Sequence, residues 1–186
     1  MARHRSRGIY AIATLVLYID GAHAQGPDGP GSNGQDESCP RVGEERVRGN
    51  LQIAAPCELT GTEVRGDVIL YAGGSLIARQ VRIRGSLDGS RADFVVMDRS
   101  RVDGDLRLAE LVGDLSNIQR TEIRGSVLLQ GNRSRLEILN NDVGRGMQVL
   151  GNTGGVLIAG NSFDGDLECA ANTPMPLGVG NRVQGE

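Results

Sequence analysis

From residue 47 onward the chain alternates apolar and polar residues in short bursts that restart at nearly constant spacing. Val47-Arg-Gly-Asn-Leu51, Val64-Arg-Gly-Asp-Val68, Ile83-Arg-Gly-Ser-Leu87 and Val102-Asp-Gly-Asp-Leu106 open the series. Ile123-Arg-Gly-Ser-Val127, the variant Val143-Gly-Arg-Gly-Met147 and Phe163-Asp-Gly-Asp-Leu167 continue it, and Val183-Gln-Gly-Glu186 begins an eighth unit. The starts are 17, 19, 19, 21, 20, 20 and 20 residues apart. Within a burst, Val102, Leu106 and Leu108 fall on one face and Asp103, Asp105 and Arg107 on the other. A period of two predicts a half-buried strand, not a helix. A second short run follows in most units, as in Leu136-Glu-Ile138 and Val156-Leu-Ile158. Units of about 20 residues with two or three short strands leave no room for a crossover helix.

Few architectures stack such units. The L-x-x-L-x-L-x-x-N signature of leucine-rich repeats is absent, and a propeller blade needs about 40 residues. The remaining solution is an all-β, right-handed parallel β-helix of about seven coils over residues 41–186, each repeat forming one coil. Stacking predicts columns of like side chains. Asn132, Asn152 and Asn172 lie 20 apart, as do Asn141, Asn161 and Asn181. Traced backward, the second column reads Thr121, Ser100, Val81 and Thr62, mostly small and hydrogen-bonding. An asparagine that donates to and accepts from its copy in the next coil satisfies the bend's backbone, so these residues are expected to be architectural.

The V/I-x-G-D/S-L/V phrase and the asparagine columns together resemble the bacterial secreted β-helix repeat proteins of the pectin-lyase-like class, over roughly residues 45–186. The Gly-rich Val and Ile coils are also similar to bactofilins, polymer-forming scaffolds that are mainly cytoplasmic or membrane-associated. Both resemblances imply a fold, and a fold does not carry a function. The first also implies where chemistry would sit, since polysaccharide enzymes of that class cluster acids on an outward strand face.

Composition adds an address. Arg3, Arg5 and Arg7, an apolar run from Ile9 to Ile19 and Ala22-His23-Ala24 follow the order of a secretory signal peptide, with cleavage predicted after Ala24. Eleven apolar residues are too few for an ordinary spanning helix. Cleavage removes three arginines and Asp20, leaving 17 arginines against 22 acidic residues. A secreted or periplasmic protein without stable membrane insertion is expected, and the acidic balance argues against nucleic acid as a partner. Residues 25–40, rich in Gly, Pro, Asp and Ser, read as a flexible leader. The chain has 28 glycines, no tryptophan and five Phe plus Tyr, so its core must be aliphatic.

Three cysteines remain in the exported part. Cys39 and Cys57 are expected to form a disulfide that fastens the approach to the first coil. Cys169, in an inward slot equivalent to Leu108 and Leu129, is expected to be a buried thiol, with intermolecular pairing as the alternative. Both histidines precede the predicted cleavage point, so no zinc site, no His-based nucleophile and no cofactor are expected. The first outward column runs Arg48, Arg65, Arg84, Asp103, Arg124, Gly144, Asp164, and the next Asn50, Asp67, Ser86, Asp105, Ser126, Gly146, Asp166. The paired acids Asp103/Asp105 and Asp164/Asp166, with Arg84 and Arg124, are the candidate binding residues. The pairs lie three coils apart, about 14 Å at the usual strand spacing, and are expected not to share one site. Salt-bridge ladders are the expected role of these charges, and no catalytic residue is assigned. Ile77, Val96, Leu157 and Leu177 form a candidate outward docking strip. Arg145, where other units have an inward glycine, predicts a bulge.

The function expected is that of an exported, non-catalytic scaffold or interaction protein holding a surface glycan or a protein partner. The alternatives are a small carbohydrate-active enzyme with an Asp pair on the β-helix face, and a self-assembling, bactofilin-like polymer through end-to-end association.

Overall fold

The computed structural model describes residues 36–37, 39 and 46–185; the predicted signal peptide and most of the predicted leader lie outside the described residues. Every regular element among the described residues is a strand, and all pairings between them are parallel. The strands form three sheets of eight, seven and eight strands, through which the chain winds once per repeat. The first sheet carries strands such as Leu106–Ala109 and Val127–Gln130. The second carries Leu115–Gln119 and Arg135–Leu139, and the third two-residue strands such as Arg101–Val102 and Glu122–Ile123. This is a parallel β-helix of about seven coils, the first starting at Arg46–Val47 and the seventh at Ser162–Phe163.

The register explains why the sequence repeats. Leu106 pairs with Val127, which pairs with Met147, which pairs with Leu167. Every position in a coil therefore lies over its equivalent in the next, and an apolar slot in one coil must stay apolar in all. Val47, Val64, Ile83, Val102, Ile123, Val143 and Phe163 form one fully buried column. Short aliphatic columns from three sheets fill a narrow interior, which accounts for the scarcity of rings.

The glycine of each burst sits at the corner between the third and first sheets. A Cβ on Gly125 would lie 2.5 Å from the carbonyl oxygen of Gly104 and 2.3 Å from Oδ1 of Asp105. Only glycine lets successive corners close to this distance, and the corner amides use it: Gly85 N–H donates to Gly66 O, Gly104 to Gly85 and Gly125 to Gly104.

The other corners are held by the asparagines. Asn132 Nδ2 donates to Asn152 Oδ1 at 2.8 Å and to the carbonyl of Leu108 at 2.9 Å, and its backbone N–H donates to the same Oδ1 at 3.0 Å. Asn152 repeats this toward Asn172 and Leu129. The second column does the same through Asn141, Asn161 and Asn181. Asn132, Asn141, Asn152 and Asn161 are all buried, with both amide hydrogens and the oxygen used. Earlier coils substitute smaller acceptors, as when Ser100 Oγ receives Val81 N–H at 3.1 Å.

At the start of the helix, Asp36–Glu37 pair with Asn50–Leu51, so part of the segment read as a leader extends the first sheet. Cys39 and Cys57 form a disulfide. Two expectations need correcting. Cys169 does pair with Val149 in the inward column, but it is an exposed free thiol, because no described strand lies over its own. Arg145 makes no bulge: Val143 to Met147 spans the same four steps as Ile123 to Val127, and both ends keep register. The position is a corner facing solvent, not an inward slot, and Arg145 is exposed there.

Candidate functional site

The outward face between the third and first sheets carries three ladders side by side. One is ionic. Asp103 accepts from Arg82 at 2.9 Å and from Arg101 at 2.8 Å, with Arg124 at 3.5 Å. Arg101 also reaches Glu122 at 2.8 Å, and Glu122 in turn meets Arg124 at 3.5 Å. Arg84 does not join this group but pairs with Glu63, which also meets Arg46 at 3.3 Å. Burial pushes the Asp103 carboxyl up, but hydrogen bonds from Arg101 and Arg82 outweigh it and hold it below the usual range. The same cause from Arg84 lowers Glu63.

The second ladder joins side chain to backbone. The residue after each corner glycine accepts the N–H of its equivalent in the next coil. Asn50 Oδ1 receives Asp67 N–H at 2.9 Å, Asp67 Oδ1 receives Ser86 at 2.7 Å, Ser86 Oγ receives Asp105 at 3.1 Å and Asp105 Oδ1 receives Ser126 at 2.9 Å. Asp105 is therefore a ladder rung, and its other oxygen accepts from Arg107 at 2.5 Å. The third ladder is the chain of corner amides already described.

All three ladders lapse in coil six. Gly144 stands where the ionic column has Arg124 and Asp164, and Gly146 where the acceptor column has Ser126 and Asp166. Among the described residues, no corner bond joins Arg145 N–H to Gly125 O or Gly165 N–H to Arg145 O. The missing side chains leave a groove of about 660 Å³, bounded by Asp105 and Arg107 on one bank and Asp164, Asp166 and Glu168 on the other. Gly144, Gly146 and Leu128 contribute to its lining, along with Arg145, Ser126 and Gln148. A smaller hollow of about 340 Å³, lined by Glu122, Arg124, Asp142 and Ser162 among others, shares Gly144 and Asp164 with it.

The structure thus brings together acids that spacing alone keeps apart: Asp105 and the Asp164/Asp166 pair line one groove because coil six puts no side chain between them. Asp103 and Arg84 lie outside it, and Arg124 lines only the adjoining hollow. Within the groove the polar groups are unevenly committed. Glu168 accepts from Gln148 at 2.9 Å, and Asp164 from Gln184 at 3.1 Å. Arg145 makes no ion pair among the described residues. No group of three or more His, Cys, Asp and Glu side chains among the described residues is placed to hold a metal ion. Sequence reasoning listed Gly144 and Gly146 in the two columns without drawing the consequence. The signal was there: two side-chain-free positions in adjacent columns of one coil.

The docking strip is discontinuous. Ile77 neighbours Val96, and Leu157 neighbours Leu177, but Asn117 and Glu137 separate the two pairs. Glu137 there meets Arg135 at 2.9 Å. Leu177 is 70% exposed, beside Val156, Pro174 and Met175 in a hollow of about 170 Å³.

No protein-family model, no curated protein and no solved structure matches this chain.

Proposed function

We propose that this chain is an exported, non-catalytic β-helix scaffold, similar to the bacterial secreted β-helix repeat proteins, whose rigid face holds a surface glycan or a protein partner. The observation that carries the reading is the commitment of Asp103 and Asp105. Asp103 is saturated by arginines, and Asp105 is spent on a backbone amide and Arg107. Carboxylates fixed in this way are poor general acids or bases, because catalysis needs an oxygen within reach of the substrate and these are occupied by other donors. A disulfide and the lack of a helix long and apolar enough to cross a membrane, among the described residues, are compatible with an extracytoplasmic location.

The test has two parts. Expression of the full chain in a bacterial host with fractionation should give a mature amino terminus at Gln25 outside the cytoplasm. Purified mature protein on a glycan array should retain a defined subset of glycans without cleaving them. An uncleaved cytoplasmic product, or an array with no bound glycan and no specific protein partner, would overturn the reading. One observation favours a second reading, a small carbohydrate-active enzyme: Asp105, Asp164 and Asp166 line a single groove. New reducing ends or unsaturated products released by the wild type, and lost in Asp166→Asn, would decide for it.

A further inference from the structure

We propose that the coil-six groove is a binding subsite for a short stretch of an uncharged oligosaccharide. The inference rests on the reading of the chain as a glycan-holding scaffold and names where and what it holds. The groove spans from coil four to coil seven, about 14 Å at the usual strand spacing, which suits two or three sugar residues. Gly144 and Gly146 offer only backbone to its lining, and Leu128 adds an aliphatic surface for the C–H face of a ring.

The chemistry of the banks selects the ligand. Arg145 presents guanidinium donors with no ion-pair partner among the described residues, in a lining that also holds the carboxylates of Asp164 and Glu168, each with one oxygen outside the hydrogen bonds described. A sugar hydroxyl both donates and accepts, so vicinal hydroxyls can bridge a guanidinium and a carboxylate at once. A uronate chain would face Asp164, Asp166 and Glu168 with only Arg145 uncommitted in its favour. A basic peptide would satisfy the acids but bring positive charge against Arg145. An uncharged polyol, unlike either, uses both signs.

The glycine positions supply a direct test. A side chain on Gly146 alone would put Cβ 2.7 Å from Asp166 O, and one on Gly144 2.7 Å from Arg124 O. The filling variant therefore changes all three residues together, Gly144→Arg, Arg145→Gly and Gly146→Ser, so that coil six takes the Arg-Gly-Ser corner of coil five. A second variant, Arg145→Gln with Glu168→Gln, changes only exposed side chains. Calorimetric titration would use tetrasaccharides of glucose and of N-acetylglucosamine as neutral probes, with glucosamine and galacturonate tetramers and a tetra-lysine peptide as charged comparators.

The expected result is that a neutral tetramer binds best, that the filling variant weakens it at least tenfold, and that the double variant weakens it at least fivefold. Neutral-tetramer binding that survives in the folded double variant would overturn the groove and leave the scaffold reading standing. Tighter binding of the galacturonate, glucosamine or peptide probe would overturn the ligand class. A wild type that binds no probe here but binds other glycans on the array also overturns this inference alone, whereas silence on both would remove the scaffold-glycan reading as well.

Discussion

Asn152 sits in the middle of the first asparagine ladder, and its removal should be disproportionately costly for one small polar side chain. In the wild type its oxygen accepts from Asn132 N–H at 3.0 Å and from Asn132 Nδ2 at 2.8 Å, while its own Nδ2 serves Leu129 O at 3.0 Å. Asn152→Ala strands the two buried Asn132 donors; Leu129 O keeps its place in the parallel ladder, and the Asn172 oxygen keeps a donor, because the backbone N–H of residue 152 still reaches it. Leaving a buried donor or acceptor unsatisfied costs about 1–3 kcal/mol, so two of them, partly relaxed, predict a loss of about 2–4 kcal/mol. Asn152→Thr should cost roughly half of that, since a hydroxyl can receive Asn132 N–H as Thr121 Oγ1 receives Ser100 N–H, at 3.4 Å. Urea unfolding of the disulfide-intact protein, followed by far-ultraviolet circular dichroism, measures both. Because each coil contacts only its neighbours, amide exchange should show protection lost first in coils five to seven. A cost below about 1 kcal/mol for the alanine variant would refute the argument that the ladder satisfies otherwise orphaned groups. So would equal costs for alanine and threonine.

Three further outcomes follow from the same geometry. Reducing the Cys39–Cys57 bridge, or replacing both residues by serine, should lower stability by about 3 kcal/mol through loop-closure entropy, read as a drop in urea midpoint; no shift would mean that the closure constrains nothing. Glu63 and Asp103 have folded-state pKa values lowered by their arginines, so their contribution is fully present above the unfolded value and is lost as pH falls through the folded one. Asp103→Asn should therefore destabilise at neutral pH, with the gap to wild type closing on acidification; a gap that widens toward low pH would reverse the sign. Cys169 should be alkylated to completion without denaturant, being exposed, yet more slowly at pH 8 than a cysteine in an unstructured peptide, because partial burial and then Glu168 raise its pKa. A requirement for denaturant would contradict the exposure, and Glu168→Gln should speed the reaction.

The fold was legible because a stacked solenoid writes its geometry into the sequence. The register that pairs Leu106 with Val127 also repeats the burst every 20 or so residues, and the buried asparagines lie at that same interval. The disulfide was legible for a related reason, two cysteines flanking the opening of the first coil. Cys169 was misjudged because a column assignment gives the direction of a side chain but not whether another coil covers it. Arg84 stands one coil from Asp103 in the outward column, but a guanidinium reaches a neighbouring column, so Arg84 meets Glu63 there. Arg145 was misread because strand alternation was carried through a corner, where inward and outward do not alternate.

Coil six is where the repeat forgoes stability. The earlier coils show what its corner lacks: a polar side chain to receive the next coil's amide, as Asp105 receives that of Ser126, and an amide bonded to the corner before it, as Gly125 is to Gly104. Each missing hydrogen bond is worth about 1 kcal/mol, and the one glycine more than in coil five (Gly144-Arg145-Gly146 against Arg124-Gly125-Ser126) adds backbone entropy to the unfolded state. The loss is confined to the corner, where a Cβ on Gly144 or Gly146 would meet a carbonyl oxygen at 2.7 Å, since the core beneath is continuous through Val143, Met147 and Val149. A conflict between local and global preference that the core does not explain is the usual mark of a site kept for another purpose. The filling variant separates the two causes, because a corner that merely drifted would gain stability and lose nothing else. A corner kept open for a ligand would gain stability and lose binding.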